Sequence, residues 1–325
     1  MTPLSFLVLT DHRGHSDQNS LYALVNTLRQ DARCRYVDVA SRGNPQNAEF
    51  FNAAGSQVQG CRVKGGFVYQ PEGGQFTRNN IPLDVGGYDV VWLRLPHPVP
   101  QSFLDGLVGG ETQDVASLPG RLVVNDPVGI VETGDKSFLT RFPEWTPPVR
   151  LVHTADDIRD FARRHPLVLK PLRAYGGQGI VRVDGPNDLP SDLDLTEPYL
   201  AMKFLKNVSE GDKRILVVNG RILAASLRLP APGQWLCNVA QGGTSIGADI
   251  EPEEHAMIEA IAPELLRRGI CFCGVDTLLN DAGKRVLSEL NTLSIGGFPQ
   301  AETQSGRPVV QQAIDELFNY CYDHL

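Results

Sequence analysis

An α/β (α+β) fold, with a small parallel sheet in its N-terminal third, is predicted by three observations. Continuous apolar runs mark buried strands at "FLVL" (Phe6–Leu9) and "VVWL" (Val90–Leu93), and Pro96 ends the second. Between them Leu21, Leu24, Val25 and Leu28 repeat at helical spacing. Further on, two apolar strands flank Asn219-Gly220, a dipeptide favoured in tight type I′ hairpin turns. Strands alternating with helices early and a hairpin later give a parallel layer followed by an antiparallel one.

The elements follow in order. Residues 40–88, rich in Gly, Asn and Gln, read as loops with short strands, and the first unit is expected to span residues 1–120. "RLVVN" (Arg121–Asn125) reads as the start of a second unit, 121–200. In it Thr154 is the expected N-cap of "ADDIRDFARRH", and "PLVLKP" is a strand. The third unit, 201–325, opens with the hairpin. "EPEEHAMIEAIAPELLRRG" is a helix with acids early, Arg267 and Arg268 late and Gly269 just past its end. The strand "CFCGVDTLL", a turn at Asn280–Gly283 and the strand "RVLSEL" complete the pattern.

Composition narrows the function. The chain of 325 residues is 42% hydrophobic, enough for a sizeable core, and its formal net charge of −8 argues against a nucleic-acid partner. Its apolar runs are too short to cross a bilayer, and the N-terminus lacks a signal-peptide pattern. Six scattered cysteines, Cys271 and Cys273 among them, read as buried thiols of a cytoplasmic protein. No metal or nucleic-acid motif is built around them, and a homo-oligomer stays open.

Two familiar nucleotide motifs fail. The first strand is followed by "DHRGHSDQNS", not by G-x-G-x-x-G. Gly129–Ser137, "GIVETGDKS", departs from a P-loop because Asp135 separates Gly134 from Lys136. A third pattern is more coherent. Lys170 ends a strand, and Gly176, Gly177 and Gly179 follow in "AYGGQGIVRV", where backbone N–H groups could approach phosphate oxygens; a plain hairpin loop is the alternative. Asp276 lies in one strand, with Glu289 and Asn291 on one face of the next. If the strands pair antiparallel, the three side chains converge, as Mg²⁺ ligands or as a hydrogen-bonded cluster.

"VVNDPVGIVETGDKSFLTRFPEWTPP", "LVLKPLRAYGGQGIVRV", "EGDKRILVV", "RGICFCGVD" and "LSELNT" occur in the order found in prokaryotic glutathione synthetases, and residues 120–295 resemble that family of ATP-grasp ligases. The resemblance implies an ATP-grasp fold and an ATP-dependent carboxylate–amine ligase acting on small amino-acid or peptide substrates. Such an enzyme works through an acylphosphate, with Mg²⁺ as the metal and Mn²⁺ as its substitute. The nearest activity joins γ-glutamylcysteine to glycine; the alternatives are a ligase for another amino acid or peptide, or a nucleotide-binding protein without turnover. Carried over by position, Lys136 and Lys170 would contact ATP phosphates, and the Gly176–Gly179 loop would cover them. Lys203, Phe204 and Leu205 would line the adenine pocket, and Asp212 would approach the ribose. Arg214, Arg228 and Asn238 would face the reacting groups, and Asp276, Glu289 and Asn291 would hold the metal.

Departures gather at the substrate positions Arg94, Ser294, Gly296 and Gly297. The family's Arg-Lys-Asp-Pro-Pro motif keeps only its arginine here, as Arg94, followed by Leu95, Pro96 and His97. Leu236, after Trp235, replaces an arginine, and Thr292–Gly297 replaces the Thr/Ser-Pro-Thr that grips a substrate carboxylate. An arginine able to hold a carboxylate bidentately is not matched by leucine. Trp235 and Phe298 point to a larger or more apolar substrate, or to core packing.

Overall fold

The structure, a computed structural model, describes residues 2–108, 121–231 and 244–325. Its first sheet is built from β1 (Leu4–Thr10), β2 (Cys34–Ser41), β3 (Gln57–Arg62), β4 (Ile81–Asp84), β5 (Val90–Arg94) and β6 (Leu122–Val124), in the order β4-β3-β2-β1-β5-β6. The four strands β2, β1, β5 and β6 are parallel, and β3 and β4 extend the edge antiparallel. β3 and β4 are the short strands expected among the loops of residues 40–88. The strand of "RLVVN", β6, pairs parallel with β5 at the edge of the N-terminal sheet.

Helices α1 (Ser20–Gln30), α2 (Ala48–Ala53) and α3 (Gln101–Val108) flank this sheet. Alternation divides its strands between two cores. Leu7, Leu9, Val91 and Leu93 belong to one, while Phe6, Val8, Val90 and Trp92 belong to the other. After α4 (Pro127–Gly134) comes a four-stranded sheet, β7-β10-β8-β9, from β7 (Val149–Val152), β8 (Leu167–Pro171), β9 (Val181–Val183) and β10 (Tyr199–Lys203). It packs on α5 (Ala155–Ala162), whose Thr154 N-cap forms a capping box with Asp157. The P-loop-like glycines of 129–134 lie in α4 itself, so they form no phosphate loop.

The last sheet, β13-β12-β11-β14-β15, is antiparallel. Its strands are β11 (Asp212–Val218), β12 (Arg221–Leu229), β13 (Thr244–Ala248), β14 (Phe272–Leu279) and β15 (Arg285–Asn291). Asn219 and Gly220 turn β11 into β12 with φ of 50° and 73°, the doubly positive backbone of a type I′ turn. Helix α6 (Pro252–Leu266) precedes β14, and α7 (Phe298–Ser305) and α8 (Val309–His324) follow β15. Cys271 and Cys273 are buried as expected, and burial pushes the Cys273 thiol up to about 12. Among the described residues, no helix is long and apolar enough to cross a membrane.

The first and last sheets share one core. Trp92 of β5 meets Phe272 of β14 at 5.1 Å between ring centroids, Phe272 meets Phe298 at 6.1 Å, and Phe6 meets Phe318 of α8 edge-on at 5.5 Å. Beside this junction Asn125, buried just after β6, donates to the carbonyls of Phe272 and Thr292 and accepts from the amides of Cys271 and Phe272, at 2.6–2.9 Å. One amide thus satisfies backbone groups at both β14 and the end of β15. We expect Asn125→Leu to lower stability by about 3 kcal/mol or more, because those buried groups lose their partners. Urea unfolding should report a lower midpoint with an unchanged slope.

Candidate active site

Two sheets contribute to one cleft of about 350 Å³. In β8, Leu167 and Leu169 face α5, so alternation turns Val168 and Lys170 the other way, into the cleft. In the last sheet, one register row sets Arg214 of β11 against Asp276 of β14, and Asp276 against Glu289 of β15. The antiparallel pairing on which the convergence of Asp276, Glu289 and Asn291 depends is therefore present. Asn291 donates to Asp276 Oδ2 at 3.1 Å. In the adjoining row, Arg228 of β12 pairs with Asp212 of β11.

The charges are crowded, with Asp276 and Lys170 buried and Asp212, Arg214 and Arg228 partly so. Arg214 grips Asp276 bidentately at 2.7 and 2.6 Å, and Arg228 Nη2 bridges Asp276 at 2.8 Å and Asp212 at 2.6 Å. Burial alone would push the Asp276 carboxyl up, but the Arg214 and Arg228 guanidiniums outweigh it and hold the group at about 2. Asp212 goes the other way: burial, then the neighbouring Asp276 charge, pushes it up to about 7 against the pull of Arg228 and Arg214. Lys170 donates to the Ser288 carbonyl at 3.1 Å, and burial lowers its pKa.

The sequence-selected residues do not all meet at the cleft. Lys170, Gly176, Gly177, Lys203, Phe204, Leu205, Asp212, Arg214, Arg228, Asp276, Glu289 and Asn291 all border the cleft. Lys136 sits in an adjoining recess, where Nζ donates to the Ala174 carbonyl and lies 3.5 Å from Glu289 Oε1. Gly179 continues the glycine loop, and Gly176, Gly177 and Gly179 have φ of 65°, 77° and 68°. A side chain is strained at such angles, which is why glycine occupies all three positions. Asn238, with Trp235 and Leu236, lies outside the described residues.

Arg94, Ser294, Gly296 and Gly297 meet elsewhere. Arg94 is buried and donates to the Ile295 carbonyl at 2.5 Å, Ser294 Oγ donates to the Arg94 carbonyl at 3.1 Å, and the Gly297 amide donates to Ser20 Oγ at 2.9 Å. Gly296 lies between them, its nearest side-chain neighbour Ser20. These contacts tie the segment after β15 to β5 and to the start of α1, with Leu293, Ile295 and Phe298 buried in the shared cores. None of the four borders the cleft. Sequence reading missed Ser288, whose backbone carbonyl fixes Lys170, and Asp281, which pairs with Lys203 at 2.7 Å. It also missed Arg182, stacked over Phe204 at 4.0 Å. Only an Asp in a turn and an Arg in a short strand signalled the last two.

The donor set fits a nucleotide with a divalent metal. Asp212 Oδ1 and Arg228 Nε are buried without partners, leaving an acceptor and a cationic donor free at the cleft. Among the described residues, no three His, Cys, Asp or Glu side chains could hold a metal unaided. Two carboxylates and an amide suit Mg²⁺, which takes its remaining oxygens from phosphate and water.

The model of the prokaryotic glutathione synthetase ATP-grasp domain matches residues 135–306, more than half of the chain. The chain belongs to the prokaryotic glutathione synthetase family. The glutathione synthetase of Parasynechococcus marenigrum (strain WH8102) is 33% identical over 241 residues, 72% of this chain and 76% of that protein. That of Rhodopseudomonas palustris (strain ATCC BAA-98 / CGA009) is 29% identical over 273 residues, 80% of each. Among solved structures, D-cycloserine synthetase DcsG superposes with a TM-score of 0.63 at 13% identity, covering 98% of this chain and 99% of that one, which is a likeness of fold alone. As a family member the chain is an ATP-dependent C–N ligase with the ATP-grasp fold, and ATP and a divalent metal come with the family.

The Asp276 cluster gives a direct expectation. Asp276→Asn leaves two buried guanidiniums short of an anion and should cost about 3–5 kcal/mol. Because the folded Asp276 carboxyl sits at about 2, below its ordinary 3.8, its contribution is complete above that value and lost as pH falls through about 2. Acid titration of stability should therefore lose a component between those values in Asp276→Asn.

Proposed function

We propose that the chain joins a carboxylate to an amine through an acylphosphate, releasing ADP and phosphate, with γ-glutamylcysteine and glycine as the nearest substrates. The observation that carries this reading is the meeting of Lys170, Arg214 and Arg228 with Asp276, Glu289 and Asn291 in one cleft under a glycine-rich loop. A carboxylate is a poor electrophile toward an amine. Its oxygen attacks the γ-phosphorus of ATP, the bond to ADP breaks, and the resulting mixed anhydride accepts the amine at its carbonyl carbon as phosphate leaves.

The chain's own groups supply charge and exclusion. Lys136 and Lys170 hold phosphate oxygens, and the backbone of Gly176, Gly177 and Gly179 covers them. Arg214 and Arg228 face the transferring group, and the family resemblance gives Asn238 a role toward the acceptor. Lys203, Phe204 and Leu205 border the base, and Asp212 meets the ribose. Asp276, Glu289 and Asn291 hold Mg²⁺, replaceable by Mn²⁺, which neutralises phosphate charge when bound. We take residues 1–120, 121–200 and 201–325 as the three units of this machine, with β6 contributed by the second unit to the first sheet. Buried free thiols suit a reducing, cytoplasmic setting.

A second reading within the same chemistry is a different amino-acid or peptide pair. It is favoured by the segment Leu293–Gly297, whose contacts with Arg94 and Ser20 serve the junction between sheets. A carboxylate grip at that place would need other residues.

Purified protein should release ADP with Mg²⁺, γ-glutamylcysteine and glycine together, and not when any one is omitted. Release only with other pairs in a panel of amino acids and short peptides would move the substrate to the second reading, and AMP with pyrophosphate would reject the acylphosphate. Glu289→Gln should lower turnover by at least roughly 100-fold, the upper end of what even outer-shell partners of a metal cost. Lys170→Met should weaken ATP binding by roughly 10- to 100-fold, as measured by titration with a fluorescent nucleotide.

A further inference from the structure

One departure noted in the sequence, His97, touches the glycine-rich loop in the structure. His97, after β5, lies flat against Tyr175, the residue that precedes the glycine loop, with ring centroids 3.6 Å apart and planes inclined by 7°. Arg42 fixes the segment that carries His97. Its Nη1 donates to the Pro98 carbonyl at 2.6 Å and Nη2 to the Pro96 carbonyl at 3.0 Å, while Nε donates to buried Asp11 at 2.9 Å. Tyr175 in turn borders both the cleft and the recess that holds Lys136, whose Nζ lies 5.3 Å from the tyrosine ring centre.

The loop needs such a hold. From Arg173 to Gly179, "RAYGGQG", three of seven residues are glycines and Tyr175 is the only aromatic. A glycine-rich segment loses much freedom when it is ordered, and it has few side chains with which to make contacts in return. Burying one ring against a partner fixed on another sheet is an economical way to order it. The partner's attachment through Arg42 and Asp11 lies just past the ends of β2 and β1, outside the nucleotide cleft.

We propose that His97 is a positioning residue for the ligase reaction, holding Tyr175 by ring stacking so that the Gly176–Gly179 loop stays closed over the nucleotide. This rests on the reading of that loop as the cover of the ATP site. With the stack lost, water reaches the acylphosphate, its anhydride bond is hydrolysed to carboxylate and inorganic phosphate, and ADP appears without amide. His97 itself exchanges no proton and touches no reacting atom in this scheme.

The test is tryptic cleavage after Arg173, whose side chain is 83% exposed, in protein without nucleotide, resolved by mass spectrometry. His97→Ala should speed that cut about two- to tenfold, the range an aromatic pair supplies. His97→Phe, which keeps a flat ring, should stay within about twofold of the unaltered protein on the same ground. Tyr175→Ala should match His97→Ala, and the double variant should be no faster than either. In turnover, the ratio of ADP to amide should rise in His97→Ala and return in His97→Phe. Unaltered cleavage in His97→Ala, or additive effects in the double variant, overturns the proposal. So does equal acceleration in the Ala and Phe variants with lowered thermal midpoints, which marks His97 as a fold support only. Because cleavage is read without nucleotide or substrate, a wrong substrate assignment would silence only the ADP-to-amide ratio.

Discussion

A carboxylate at the centre of the last sheet is held ionised inside the protein by two guanidiniums, and the cleft depends on that arrangement. Asp276 is almost fully buried, where an unpaired charge would neutralise itself. Arg214 lies opposite it in the register, and Arg228 reaches it from one strand further out. The pairing of β11 with β12 and β14 thus fixes the charges before any ligand arrives. Preorganised charges of this kind need no reorganisation when a phosphoryl group passes between them. The cost is electrostatic crowding, visible in Asp212, which burial and the Asp276 charge drive toward protonation at neutral pH.

The same sheet positions the other partners. Glu289 stands across from Asp276, and Ser288, one residue before it, presents a backbone carbonyl to Lys170 of the smaller sheet. A single strand, β15, therefore carries the carboxylate, the amide and the anchor for the lysine. Its continuation then leaves the cleft and binds β5 through Ile295 and α1 through Gly297. Chemistry and architecture divide within a dozen residues of chain.

What the sequence made legible was whatever has a local cause. Alternation put Glu289 and Asn291 on one face, the Asn219-Gly220 turn set the β11–β12 hairpin, and Thr154 capped its helix as its type requires. Asp276 required one long-range assumption, antiparallel pairing, which the turn at Asn280–Gly283 made natural. The rest was hidden because its cause is tertiary. β6 joins the first sheet through an edge that no local pattern announces, and Asn125 owes its importance to four backbone groups from another part of the chain. Arg94 is a surface-type residue by composition, yet packing encloses it, and burial lowers its pKa to about 10. The same holds for Phe298, which could have faced a substrate and instead fills the core.

The central claim is that this cluster activates a carboxylate by phosphorylating it. The most direct measurement uses a carboxylate substrate labelled with oxygen-18, in whichever pair supports ADP release, and follows the label into inorganic phosphate by mass spectrometry. The account predicts that each phosphate released carries one oxygen from the carboxylate. Unlabelled phosphate alongside labelled AMP, or amide formed with no label transferred to phosphate, would contradict it.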